Sequence, residues 1–268
     1  MEFPFENNPN KKRILSSFSG KAATYNQNAE IQKMAGLRLC SLLKKECFNE
    51  AGVLLDAGCG TGLFLSLSKD LLRTKHTLLL DISRPSLEIA GNTICADLIN
   101  GDMEAMPFKR GVFDTLSLLS SFQWAQSPKE FLKELNRVIT PGGKFIFTVF
   151  LKGSLTGLKG LQDKYSIHPP VFFPERKRFI SMLESAGFRL TSSETATERV
   201  HFDTGYTALR SISGIGASTA GEKRLTLSEI KEFAQEYGRS NTDSTGVFTE
   251  YEYICGTAEK TQAVKEAV

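Results

Sequence analysis

Little in this chain invites a metal ion, a disulfide or a membrane. Its five cysteines, Cys40, Cys47, Cys59, Cys95 and Cys255, are an odd number with no Cys-x-x-Cys spacing. They read as reduced packing residues, not as a disulfide or zinc framework. The three histidines, His76, His168 and His201, are too scattered to share one ion, so no metal is expected. No apolar run approaches the thickness of a bilayer; Phe145 to Leu151 is typical and far too short. The start, Met1-Glu2-Phe3-Pro4, carries an acid and no hydrophobic signal core, which points to a cytoplasmic protein. A net charge of +3, from 33 basic and 30 acidic residues, is too weak to argue for nucleic-acid binding, though it leaves room for a local basic patch. Internal repeats and low-complexity tracts are absent as well. What remains is an ordinary composition, 41% hydrophobic and 24% charged over 268 residues, enough for a large core in one domain with insertions.

The informative stretch is Val53-Leu54-Leu55-Asp56-Ala57-Gly58-Cys59-Gly60-Thr61-Gly62. A short apolar run bounded by Gly52 and Gly58 predicts a buried parallel strand, and Leu63 to Leu72 has the apolar spacing of a helix. Glycines at a strand-to-helix turn let the chain take positive φ and let a ligand approach the backbone. The helix start offers N–H groups to an anion. A dinucleotide fingerprint requires a third glycine where this chain has Leu63, and Asp56 would face a pyrophosphate with like charge. A ligand carrying both a cationic amine and a carboxylate suits the loop better.

The rest of the chain repeats strand and helix. Residues 1–12 are polar and read as loose, followed by an arm through Tyr25 and a helix over 29–45. Tyr25, a lone aromatic before that helix, is core by default. Thr77 to Asp81 is a second strand ending in an acid nineteen residues after Gly62, the interval expected for a ribose-binding carboxylate. Ser83 and Pro85 read as the cap and first turn of the next helix, 86–90. A weak third strand over 94–98 precedes Gly101-Asp102-Met103-Glu104-Ala105-Met106-Pro107-Phe108. Phe113 to Leu119 is the fourth strand, and Gln123 and Trp124 just beyond its carboxyl end are candidates for a substrate cavity. A helix over 128–139, stopped by Pro141-Gly142-Gly143, leads to a fifth strand over 144–150. Further on come a helix over 174–186 capped by Gly187, a sixth strand over 188–202, helices near 204–212 and 228–237, and an antiparallel last strand over 247–258. The repetition predicts an α/β fold with a mostly parallel seven-stranded sheet. Its parts are an N-terminal arm and helix, 1–50, a Rossmann-like half, 51–151, and a remainder, 152–268, with lid insertions at about 152–173 and 203–246.

Asp56-x-Gly58-x-Gly60-x-Gly62 resembles motif I of the Rossmann-like class I methyltransferases, and Gly101-Asp102 with Pro107-Phe108 resembles their adenine-side motif. The resemblance implies S-adenosyl-L-methionine as cofactor, held by Asp56, Gly58, Gly60, Gly62, Asp81, Ile82, Asp102, Met103 and Leu119. Three flanking segments narrow it: Phe18 to Tyr25, Lys152-Gly153-Ser154-Leu155, and Ala208-Leu209-Arg210-Ser211-Ile212-Ser213-Gly214-Ile215-Gly216-Ala217. They resemble the malonyl-[acyl-carrier protein] O-methyltransferases of biotin synthesis, over about Phe18 to Glu259, with the tail and 159–173 matching poorly. This implies esterification of a free malonyl carboxylate on an acyl carrier protein by a monomeric enzyme, with Arg210 and Tyr25 as catalytic groups and Gln123, Trp124 and Arg210 at the substrate. A carboxylate is already ionised at neutral pH and needs no general base. The alternatives are a small-molecule or quinone methyltransferase of the same fold, which at carbon would need a base, and a non-catalytic binding module.

Overall fold

Adjacent leucines set the architecture. Leu54 and Leu55 are both fully buried, but they point to opposite faces of their strand and join different apolar cores. Such a strand needs helices on both sides. The computed structural model describes residues 9–165, 172–213 and 226–261 and provides that arrangement. The strands are β1 (Glu50–Ala57), β2 (Arg73–Asp81), β3 (Asp97–Asn100), β4 (Phe113–Leu119), β5 (Ile139–Phe150), β6 (Phe188–Phe202), β7 (Thr242–Asp243) and β8 (Gly246–Lys260). The helices are α1 (Pro9–Asn28), α2 (Glu30–Lys45), α3 (Leu63–Ser68), α4 (Arg84–Gly91), α5 (Pro128–Val138), α6 (Lys159–Tyr165), α7 (Arg176–Ser185), α8 (Gly205–Ile212) and α9 (Leu227–Ser240).

The sheet runs β3-β2-β1-β4-β5-β8-β6, the expected seven strands, with the two-residue β7 added on β8. Strands β1 to β5 pair in parallel, and β8 is antiparallel to both β5 and β6. Helices α5 and α7 share a core with Phe145 and Phe147 on one face, while α2, α3 and α4 bury Leu54, Leu79 and Ile146 on the other. Strands β6 and β8 are longer than the rest. From Gly246 to Glu252, β8 runs beyond the end of β5, and this overhanging ribbon carries a third core with α6, α8, α9 and parts of α1 and α2.

Several boundaries differ from the sequence reading. Residues 9–12 begin a twenty-residue helix, and the glycine loop's helix stops at Ser68, short of Leu72. Gly52 lies inside β1 at a bulge, φ +60°, where Asp114 Oδ2 accepts the Val53 N–H at 2.9 Å. The third strand is 97–100, not 94–98. Helix α5 ends at Val138, before Pro141-Gly142-Gly143, which forms an irregularity within β5 because proline lacks a ladder donor. The cap at Ser83 and the span of β4 are as read. Gly214 to Ala217 and His168-Pro169-Pro170 lie outside the described residues.

Candidate active site

Strand order reverses between β1 and β4, whose neighbours run away on opposite sides, and a cavity of about 900 Å³, counted to its open mouth, lies beyond their carboxyl ends. Its floor is the loop after β1. Gly58, Gly60 and Gly62 all take positive φ, +64°, +54° and +77°, but for different reasons. A Cβ on Gly60 would meet nothing within 4 Å, so the glycine leaves cavity space open. A Cβ on Gly58 would fall 2.9 Å from the Ser121 side chain, and one on Gly62 would fall 2.3 Å from Ile94 Cδ1 on the far side of the loop.

Asp81 joins this loop to the end of β2. Its Oδ2 accepts the Gly60 N–H at 2.8 Å and its Oδ1 the Ser83 N–H at 2.7 Å. Asn100 donates to the Asp81 and Ile82 carbonyls and fixes the turn. Burial pushes the Asp81 carboxyl up, and the backbone N–H bonds offset only part of that. On the next wall Asp102 accepts the Glu104 N–H at 2.9 Å and pairs with Lys11, which also reaches Glu104 at 2.8 Å. Burial works against the Lys11 charge, but the two carboxylates outweigh it and its pKa is raised. Glu134 and Arg137 of α5 clamp the segment that follows, through Met106 N–H and the Met106 and Phe108 carbonyls.

Helix α1 is the roof. It is fastened at Ser19 to Ser83 (3.2 Å), at Asn26 to Thr61 (2.7 Å) and through Lys21 to the Ser213 carbonyl. Phe18 meets Trp124 edge-on at 5.2 Å. Burial, with the Asp81 charge adding to it, pushes the Tyr25 phenol far above its ordinary value, so it stays protonated and can donate a hydrogen bond. Three carboxyl groups, Asp81, Asp102 and Glu104, and one ammonium, Lys11, line the cavity. It therefore suits a cationic guest better than an anionic one.

Of the residues read from sequence, Tyr25, Gly58, Gly60, Asp81, Ile82, Asp102, Met103, Leu119 and Trp124 line the cavity together. Four do not. Asp56 points between β1 and β4, where Ser117 donates to its Oδ1 at 2.7 Å and its Oδ2 is buried without a partner. Burial pushes its carboxyl up to about 7 against that hydrogen bond, with the Asp81 charge adding to the rise. Gly62 serves the packing of α3 on α4. Gln123 turns back to donate to the Ser120 carbonyl at 2.6 Å. Arg210 stands on the exposed side of α8, off the cavity lining. The loop's N–H groups are also less free than a helix start suggests: Cys59 donates to Leu80, Gly60 to Asp81 and Gly62 to Cys59.

The roof residues Lys11, Ile14 and Phe18, together with Glu104 and Ser121, line the cavity and were missed by the sequence reading. A signal existed for the roof: Ile14, Phe18, Ala22 and Tyr25 recur at helical spacing. Among the described residues there is no cluster of three metal-ligating side chains, and no helix is long and apolar enough to cross a membrane.

Known proteins resemble this chain at several scales. Residues 55–147 match the family model described as a methyltransferase domain. A malonyl-[acyl-carrier protein] O-methyltransferase of Erwinia pyrifoliae is 31% identical over 260 residues, 94% of each protein. A biotin biosynthesis bifunctional protein of Cellvibrio japonicus is 29% identical over 195 residues, 72% of this chain and 38% of its own length. In fold, the chain resembles a geranyl diphosphate C-methyltransferase of Streptomyces coelicolor solved with S-adenosyl-L-homocysteine. The TM-score is 0.50 at 14% identity, over 83% of this chain and 78% of that one.

Proposed function

The chain belongs to the malonyl-[acyl-carrier protein] O-methyltransferases, and from that premise we propose that it esterifies the free carboxylate of malonyl-[acyl-carrier protein] at the start of biotin synthesis. The observation that carries the reading is Asp81. A carboxylate has about four acceptor sites; here each oxygen takes one backbone N–H, which leaves capacity for two hydroxyl groups such as those of a ribose.

S-adenosylmethionine, when bound, supplies a methyl group activated by a sulfonium. The residues present fit it: Asp81 for the ribose, Ile82, Asp102 and Met103 for the adenine, Gly58 and Gly60 for close backbone approach, and Leu119 as backing. The surplus of carboxyl groups favours its cationic end. Asp56 acts at one remove, as a buried acid behind the loop, and Gly62 holds the helix start in place. Tyr25 and Trp124 close the site under α1, and Gln123 braces the Trp124 turn.

The acceptor carboxylate is ionised at neutral pH, so the chain supplies no base; it aligns the reactants and excludes water. That carboxylate would enter a cavity of like charge, and an unpaired buried charge costs several kcal/mol. A guanidinium can hold both of its oxygens. Arg210 is the candidate: it stands off the cavity lining, but Lys21 ties the end of its helix to the cavity roof three residues further on, and the reading requires its side chain to turn inward when the acceptor is bound. The same reading takes the enzyme as a cytoplasmic monomer that engages neither nucleic acid nor membrane.

The test is to incubate the protein with S-adenosylmethionine and either malonyl- or acetyl-carrier protein and weigh the products. Malonyl-carrier protein should gain one methyl group and acetyl-carrier protein none. Methylation of both, or of neither, would overturn the assignment.

A further inference from the structure

Beside the cavity, on the same end of the sheet, an open groove of about 650 Å³ runs between the first turns of α5 and α7. Its walls include Ala125, Pro128, Lys129, Phe172 and Arg178. The two helices carry Lys129, Lys133, Arg176, Lys177 and Arg178 here, against Glu130 and Glu175. Both acids are already engaged, Glu130 by Lys133 at 2.9 Å and Glu175 by Lys152. Lys129 and Arg178 are exposed and, among the described residues, have no carboxylate at ion-pair distance. Arg178 lies over the Phe172 ring, 5.1 Å from its centroid. The groove's own lining carries two cations, Lys129 and Arg178, against one carboxylate, Glu130, and the first turn of α7 adds Arg176 and Lys177 beside it.

The groove and the cavity share a wall. Trp124 lines the cavity and Ala125, the next residue, lines the groove, so their Cα atoms stand about 3.8 Å apart. Glu104, a cavity acid, accepts the N–H of Ser127, a groove residue, at 2.9 Å. Phe172 in turn donates its N–H to the Gln123 carbonyl, which fastens the groove's aromatic to the turn that bears Trp124.

Resting on the malonyl-carrier reading above, we propose that this groove is where the acyl carrier protein docks. Lys129 and Arg178 flank the phosphodiester of its pantetheine arm, and the acidic face of the carrier lies along Lys129 and the basic first turn of α7. A carrier-borne substrate is an anion on a tether. It requires a cationic landing surface within arm's reach of the methyl donor, and the cavity, whose charged groups are three carboxyls and one ammonium already paired with two of them, cannot provide one. The arm can stack its uncharged pantetheine part on Phe172 beside Arg178, and the shared wall gives it a short path to Trp124. Complementary charge at such a rim acts on encounter and affinity and is weakened by salt.

The experiment compares the wild type with the Lys129→Glu/Arg178→Glu double variant on two substrates, malonyl-carrier protein and malonyl-pantetheine. The second lacks both the carrier and the phosphate. For the carrier substrate the variant's KM should rise at least about tenfold, with kcat nearly kept and with weaker salt dependence. For malonyl-pantetheine its KM should stay within about twofold of wild type, which shows an intact site. A carrier KM within about twofold of wild type overturns the docking proposal. So does an equal loss on both substrates by a folded variant, which would make the groove part of the acyl site. A wild-type dimer broken by the same substitutions would give the face to a second copy instead. If the reversal unfolds the protein, Lys129→Gln/Arg178→Gln must give a smaller loss confined to the carrier substrate. A wild type that methylates neither malonyl thioester removes the function reading, and the docking proposal with it.

Discussion

Gly52, at the bulge near the start of β1, and Gly60, in the loop beyond its end, take similar left-handed conformations, φ +60° and +54°, yet alanine should injure the protein in opposite ways at the two places. Both substitutions share the penalty of a left-handed residue with a Cβ, about 1–2 kcal/mol. At Gly52 the new methyl would sit 2.3 Å from Asp114 Oδ2 and 2.8 Å from its Cβ. That carboxylate is not free to move, since it caps the Val53 N–H. Overpacking of this kind adds about 1–3 kcal/mol. At about 2–4 °C per kcal/mol for a chain near this size, Gly52→Ala should melt roughly 2–12 °C below Gly60→Ala. At Gly60 the methyl meets no protein atom and instead occupies cavity space. Gly60→Ala should therefore raise the Kd for S-adenosylhomocysteine at least about tenfold, or about 1.4 kcal/mol, while Gly52→Ala leaves that Kd within about twofold. Scanning calorimetry of the unliganded proteins and titration calorimetry with the nucleoside read the two effects separately. Normal binding by Gly60→Ala would refute the reasoning, because the space above that loop would then not be where the cofactor lies. Loss of binding by Gly52→Ala at an unchanged melting temperature would refute the division between the two ends.

Substitutions at three other positions probe the site. Asp81→Ala should raise the cofactor Kd at least about tenfold, since hydrogen bonds to a charged acceptor are worth about 1.5–3 kcal/mol each, and unchanged affinity by calorimetry would remove the ribose from Asp81. Asp56, raised from 3.8 to about 7, binds more protons folded than unfolded between those values, so its contribution to stability falls as pH rises through that window and its penalty is complete above it. Asp56→Asn should match wild type near about pH 4 and exceed it by up to about 4 kcal/mol above about pH 7, and urea midpoints that fail to diverge over this range would show the buried acid to be no liability. Arg210→Ala should cost about 2–5 kcal/mol in malonyl-substrate kcat/KM with cofactor affinity nearly unchanged, Arg210→Lys should recover part of it, and a near-normal alanine variant would place the carboxylate site elsewhere.

The parts of the site that were legible in the sequence are those in which a strand end and a short loop decide everything. Asp81 ends β2, Gly101-Asp102 follows β3 directly, and Leu119 and Trp124 stand where β4 runs out, so local spacing was enough. Asp56 escaped because its strand is buried on both faces: alternation between polar and apolar residues, the only sequence clue to direction, is missing there. The purpose of Gly62 depends on Ile94, beyond the next strand and helix, a contact that no window around the loop contains. Lys11 was lost for a related reason. Its helix is mostly polar and is stabilised by what it covers, so the spacing of Ile14, Phe18, Ala22 and Tyr25 acquires meaning only once the cavity beneath it exists.

The position of β8 between β5 and β6 has a consequence for how the protein is made. Strand β6 leaves the ribosome with no sheet neighbour, because its one partner among the described residues is β8, which is made later. At about 5–20 residues per second, the stretch from Phe202 to Gly246 keeps a fifteen-residue β6 unpaired for several seconds, and an unpaired strand of that length is a template for sticking to another chain. The composition of β6 tempers this, since Arg189, Thr191, Glu194, Glu198 and Arg199 scatter charge and hydroxyl along it. The nascent chain can assemble β1 to β5 early, but α1 cannot be latched through Lys21 until Ser213 has been synthesised, and the ribbon that carries α8 and α9 waits for β8. Shortening the chain from its C-terminus into β8 would thus loosen the roof at its Ser213 latch before it touched the glycine loop, leaving α1 its ties to Ser83 and Thr61 on a protein with an open sheet edge.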